Sequence, residues 1–231
     1  MAFGFVVDDR GPDKTAAGGA VRFAAAAGGG VDEAAHVAAC PACGILPQPW
    51  ACLGLVPTPL SERAEAWLVS RLPEDIESVG GFLLRKAIGD FGYDGARARE
   101  LRRTGRLAAP GPYERHYGPF FRRFVVSSEQ LLEELLCAGD IAPSHALAIL
   151  VHLGALAVDG AVPTHLDDGP KLGALMEHPD ERRPRTRLEL RPETDDDPSV
   201  AALKALVAAL WAGFVLDVDV FVLDSDEPRP E

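Results

Sequence analysis

A helix-rich α+β fold with a few short strands is what this 231-residue sequence predicts. Three observations carry that expectation. Helix start signals recur from Ser61 onward, each followed by apolar residues spaced three and four apart. Alternation with a period of two appears at both ends of the chain, in Phe3, Phe5 and Val7 and again in Val218, Val220 and Val222. Apolar residues make up 47% of the chain and charged residues 25%, the balance of a globular protein. A chain of this length buries roughly 70–75% of its unfolded surface, so its core does not depend on a metal or a disulfide.

Composition divides the chain into a small β-rich segment at 1–58, a helix-rich α+β domain at 59–224, and an acidic, proline-bearing tail at 225–231 that is expected to be disordered. The first strand is expected over 1–7. Two more short strands are expected at 21–27 and 36–39, separated by Gly28, Gly29 and Gly30. Prolines at 47, 49, 57 and 59 mark a linker that cannot be regular helix. Ser61 then caps a helix over 62–72, with Ala64, Trp67, Leu68 and Leu72 along one side. A second helix is expected over 74–88 on the stripe Ile76, Val79, Leu83 and Ala87, weakened at Gly80 and Gly81 by about 1 kcal/mol each relative to alanine.

Asp94 opens a short helix that Gly105 closes, and 121–126 reads as a strand. Ser127 or Ser128 caps a helix over 129–138. Pro143 suits the first turn of an apolar helix ending near residue 158. A loop over 159–170, a short helix at 171–177 and a strand at 186–190 follow. Asp197 and Pro198, a cap and a first-turn proline, open a helix over 198–213 whose face holds Val200, Leu203, Val207, Leu210 and Trp211. Over 214–223 the period changes to two, with Asp217 and Asp219 opposite the apolar side, which predicts a strand with one buried face.

The net charge is −12. An acidic chain repels nucleic acid and anionic membranes except through a local patch. The first seven residues lack the basic flank of a secretion signal. The longest apolar stretch, 205–223, contains Asp217 and Asp219, and each carboxylate at a bilayer centre would cost about 2.5–3.5 kcal/mol. A cytoplasmic protein without a membrane segment is therefore expected.

Chemistry concentrates in Cys40-Pro41-Ala42-Cys43-Gly44, with Cys52 shortly after. A two-residue spacer lets both sulfurs of such a turn reach one ion, proline stiffens it, and glycine admits a positive φ and close approach of backbone N–H groups to sulfur. The turn resembles the knuckle of zinc ribbons and rubredoxins, which use two knuckles. Here the second is incomplete: 49–54 keeps Cys52 and Gly54 but has Pro49 where the other cysteine belongs. The resemblance implies a closed zinc site on Cys40, Cys43 and Cys52, with iron as the alternative metal. His36, four residues before Cys40 and on the same face of a strand, is the preferred fourth ligand. Cys137 reads as a small buried hydrophobe beside Leu132 and Leu136. Cys-Pro-x-Cys also resembles the redox turn of thioredoxin-like proteins, but that turn opens a helix, and Gly44 and Pro47 argue against one here.

A second feature is basic. Between residues 97 and 123 stand eight arginines and two acids, with Arg99, Arg102, Arg103 and Arg106 at helical spacing. Arginine forks match phosphate and carboxylate. The stretch reads first as a solvated helix face or as partners for the protein's own acids, then as a surface for an acidic protein partner, and last as a nucleic-acid or anion site.

Other patterns carry less. The helices around residue 143 suggest a helix-turn-helix, but the second is too apolar to read base edges. His145 and His152 lie seven apart, about 10.5 Å along a helix, which suits no single ion. Asp217-Val218-Asp219 resembles the paired carboxylates of magnesium-dependent transferases and nucleases, but lacks a second acidic cluster. No Ser-His-Asp order, nucleotide-binding glycine signature or His-Glu-x-x-His is present. The sequence thus points to a non-catalytic binding or adaptor protein with a structural zinc site. A thiol redox or metal-dependent enzyme using the cysteines is the alternative, and anion or nucleic-acid binding through the arginines a third reading.

Overall fold

In the computed structural model of the chain, residues 2–7, 40–46, 52–108, 113–118 and 123–224 are described. The strands expected at 21–27 and 36–39, residue His36 and the tail 225–231 lie outside the described residues. The fold is α+β, a mixture of helices and short antiparallel strands.

The centre is a four-stranded antiparallel sheet ordered β2–β1–β8–β5. Strand β1 (Ala2–Val7) runs between β2 (Leu53–Pro57) and β8 (Val220–Asp224), and β5 (Asp140–Ile141) forms the far edge. The sheet therefore joins the two parts that composition distinguishes. Phe5 faces Gly54 on one side and Val222 on the other, and Val7 faces Val220. Cross-strand partners share a face, so Phe3, Phe5, Val7, Val220 and Val222 build one continuous buried surface. Gly54 is required there, because a Cβ would run into the Phe5 ring. The expected proline linker is in fact where β2 forms. Its short apolar run pairs with β1, and Pro57 sits at its last position.

Helix α1 (Glu62–Ser70) begins at the expected cap, where Ser61 Oγ accepts from the Ala64 N–H at 3.1 Å. Helix α2 (Val79–Phe91) starts five residues later than periodicity suggests, at Ser78, whose hydroxyl accepts from Gly81 N–H at 3.1 Å. The adjacent glycines are there for proximity. A Cβ on Gly80 would press on Val151 O at 3.3 Å, and one on Gly81 would lie 2.5 Å from Asp75 O. Helix α3 (Ala96–Arg103) follows Asp94, whose carboxylate accepts from Ala96 N–H at 2.8 Å.

A hairpin of β3 (Glu114–Tyr117) and β4 (Phe124–Ser127) leads into α4 (Ser128–Leu136), closed by a reciprocal box in which Ser127 and Gln130 each bond the other's backbone N–H. Helix α5 (Pro143–His152) is shorter than expected. Gly154 takes φ +61° and turns the chain, and the apolar residues beyond it form β6 (Leu156–Val158), paired with β7 (Thr186–Leu188). Between them lie a 3-10 turn (Leu166–Asp168), α6 (Gly169–Glu177) and α7 (Pro179–Arg185).

Helix α8 (Pro198–Leu216) is the core of the molecule, packing on β1, β2, α1, α5 and α7. It is long and apolar enough to cross a membrane by length and composition, and 72% of its most apolar window is buried inside the protein. The strand expected from residue 214 starts only at Val220. Phe214 and Leu216 complete the helix, and Asp217, at φ +56°, caps it. Asp217 and Asp219 are thus not the exposed face of a strand. The caps of α1 and α8 are also joined: Ser61 Oγ donates to Asp197 Oδ1 at 2.7 Å.

Candidate metal centre

The turn 40–46 is held by its own backbone. Gly44 N–H donates to Pro41 O at 3.1 Å, and the N–H groups of Ile45 and Leu46 both donate to Ala42 O, at 3.2 and 3.1 Å. Gly44 is not among the positive-φ glycines. Its value is closeness, since a Cβ would lie 3.3 Å from Pro41 O. Cys52 enters from the other side, at the start of β2, where its carbonyl accepts from Val7 N–H at 2.8 Å. The corner of the sheet thus carries the third cysteine to the turn that carries the first two.

The sulfurs of Cys40, Cys43 and Cys52 all lie within 4.8 Å of one another, and all three residues are buried. Cys43 Sγ and Cys52 Sγ are 3.4 Å apart. Sulfurs on one tetrahedral zinc ion, at about 2.3 Å each, stand about 3.7 Å from one another, so the trio needs only small shifts to share an ion. A hydrogen bond from Cys52 lowers the Cys40 thiol to about 5, against the opposing effect of burial, and backbone N–H groups of the turn add to the shift. The same hydrogen bond and burial push Cys52 upward. Thiols packed this closely, one held low by its neighbour, are a donor set that a soft cation would complete by displacing protons. Cys137 is not part of it. That residue caps the end of α4, half-buried, with its N–H on Glu133 O.

The four arginines singled out in the sequence do not act together. Arg102 turns inward and forks onto Glu65, Nη2 to Oε2 at 2.5 Å and Nη1 to Oε1 at 2.7 Å, with both side chains buried. Ser128 Oγ also donates to Glu65 Oε2, and Arg102 donates to Ala108 O. Arg103 pairs with Glu100 on the exposed helix face, Arg99 bonds Asp94 O, and the guanidinium of Arg106 lies 5.3 Å from the Phe3 ring centroid.

Two buried charge clusters join residues that the sequence does not connect. His145 and His152 converge on Glu134, with Nε2 atoms 3.4 and 3.2 Å from its two oxygens. Their spacing of seven places both on one face of α5, but nothing local in sequence marks Glu134 of α4 as their partner. These are charge contacts without hydrogen-bond alignment. Burial opposes the ionised form of Glu134, yet the imidazoles of His152 and His145 outweigh it and hold the carboxyl at about 2. Arg182, fully buried, donates to Leu175 O, Phe214 O and Asp217 Oδ1. It locks α6, α7 and the end of α8 together, its guanidinium reaching from the core to the exposed cap residue Asp217.

No family model, curated protein or solved structure matches this chain.

Proposed function

We propose that this is a non-catalytic binding or adaptor protein of the cytoplasm, with a structural zinc ion held by Cys40, Cys43 and Cys52 and by His36 as fourth ligand. The observation that supports the reading is the meeting of three buried thiols from two separate turns, one of them anchored to the sheet. Such an ion would tie residues 40–46 to the corner between β1 and β2. The centre is enclosed by protein, as a structural metal site is, rather than open to a substrate.

Metal analysis of protein purified without chelator tests this. About one equivalent of zinc is expected, dropping below about a tenth in Cys43→Ser and Cys52→Ser, with thermal stability reduced in both. His36→Ala reports the fourth ligand: loss of metal supports its role, and full retention removes it. Less than about a tenth of an equivalent of any metal in the wild type overturns the reading. Iron would announce itself by visible charge-transfer bands. Metal-free protein that stays fully folded and alkylates rapidly at Cys40 would favour the redox alternative.

A further inference from the structure

The cysteine corner holds a second chemistry, one that coordination does not use. Cys43 Sγ and Cys52 Sγ lie 3.4 Å apart. Two sulfurs on one tetrahedral ion stand about 3.7 Å from each other, so this pair is already closer than a shared ion requires. A disulfide needs about 2.05 Å, which leaves about 1.3 Å to close. The two residues are nine apart in sequence and belong to separate pieces of backbone. Cys43 sits in the turn that Pro41 O and Ala42 O hold closed, whereas Cys52 is fixed to β1 through its carbonyl on Val7 N–H. A covalent bond between them joins the same two segments that the ion would join.

Burial sets the order of events. Cys43 is the most exposed of the three cluster cysteines at 9%, and Cys52 is fully enclosed. An oxidant arriving from solvent meets the Cys43 sulfur first, and Cys52 stands beside it as the resolving thiol. Cys137, at the end of α4, lies outside the cluster.

We infer that Cys43 and Cys52 form a modification site, at which a hydroperoxide converts the two thiols into a reversible intramolecular disulfide and so removes both from metal ligation. In the metal-free protein, Cys43 sulfur attacks one peroxide oxygen, the O–O bond breaks, and Cys43 becomes a sulfenic acid as the first water leaves. Cys52 sulfur then attacks Cys43 sulfur and expels the hydroxyl as the second water. The sulfurs lose two electrons, the peroxide gains them, and both thiol protons end in water. In metal-loaded protein those two protons come from solvent. Thiolate is the form that ligates metal, so Cys40 is left as the one thiolate of the cluster and the ion departs. That release rests on the zinc proposed above, whereas the disulfide depends only on the thiol contact.

Peptide mapping of the full chain after hydrogen peroxide, as purified and after chelator, tests the site. A linkage between residues 43 and 52 is expected. Thiols titrated under denaturant should fall from four to two and return to four with dithiothreitol. Cys40→Ser should still form the bond, and Cys43→Ser and Cys52→Ser should not. If a variant fails to fold, the linkage mapped in the wild type decides alone. From zinc-loaded protein, peroxide should release about one equivalent of zinc per disulfide, read with a chromogenic indicator. An ion retained beside a formed disulfide overturns the release. A 43–52 linkage in protein that never binds zinc removes the metal reading and supports the modification site. Zinc binding together with a linkage through Cys40, or with no linkage at all, overturns the site and keeps the metal.

Discussion

Arg102 shows what a single residue's placement decides. In sequence it is one of a basic run, and in the fold it is the buried counter-charge of Glu65. Removing one partner of a buried pair leaves the other charge without compensation. Arg102→Ala is therefore expected to destabilise the protein by roughly 3–5 kcal/mol, read by urea unfolding, whereas Arg103→Ala on the exposed face should change stability by less than about 0.5 kcal/mol. Equal effects would contradict the assignment. Glu134 gives a pH dependence. Its carboxyl is held at about 2 in the folded state, below the ordinary 4.5. A depressed carboxyl stabilises the fold above its unfolded pKa, and the contribution disappears as pH falls through the folded value. On the order of 3 kcal/mol should be lost between pH 4.5 and 2. The stability difference between wild type and Glu134→Gln should thus be largest near neutrality and shrink across that interval.

At the level of elements, caps were legible and partners were not. Ser61, Ser127 and Asp197 announce helix starts because a cap bonds N–H groups two or three residues away. Helix ends were less readable. The apolar runs after residues 152 and 213 continue without a break in hydrophobicity, and chain direction changes at Gly154 and Asp217, whose positive φ depends on what surrounds them. Strand β2 was hidden because five residues among prolines become a strand only beside β1. That pairing rests on Gly54. Gly54→Ala is expected to force the Phe5 ring from its site and destabilise the protein by about 1–3 kcal/mol, measured as a lowered thermal midpoint. An unchanged midpoint would mean that Phe5 does not need that space.

Across the whole molecule, the N-terminal strand is the middle of the sheet. It lies between β2 and β8, although β8 is more than two hundred residues away. The proposed zinc ion would act at this corner, beside the backbone bond between Val7 and Cys52. Chelation should therefore expose the segment around residues 40–52 to protease before the helices are cut. Simultaneous loss of both would show that the ion holds the entire core. A groove lies where α2, α5 and α6 meet without closing.

Sequence alone determined the α+β class, the helix caps, the local turn at Cys40 and Cys43 and the long buried helix, because each depends on spacings of a few residues. The tertiary structure alone decided that Cys52 reaches that turn, that Arg102 faces inward, that His145 and His152 meet at Glu134, and where α8 stops. Those outcomes depend on contacts between distant segments, and the physics that selects them, burial of charge and the matching of surfaces, has no signature in local order along the chain.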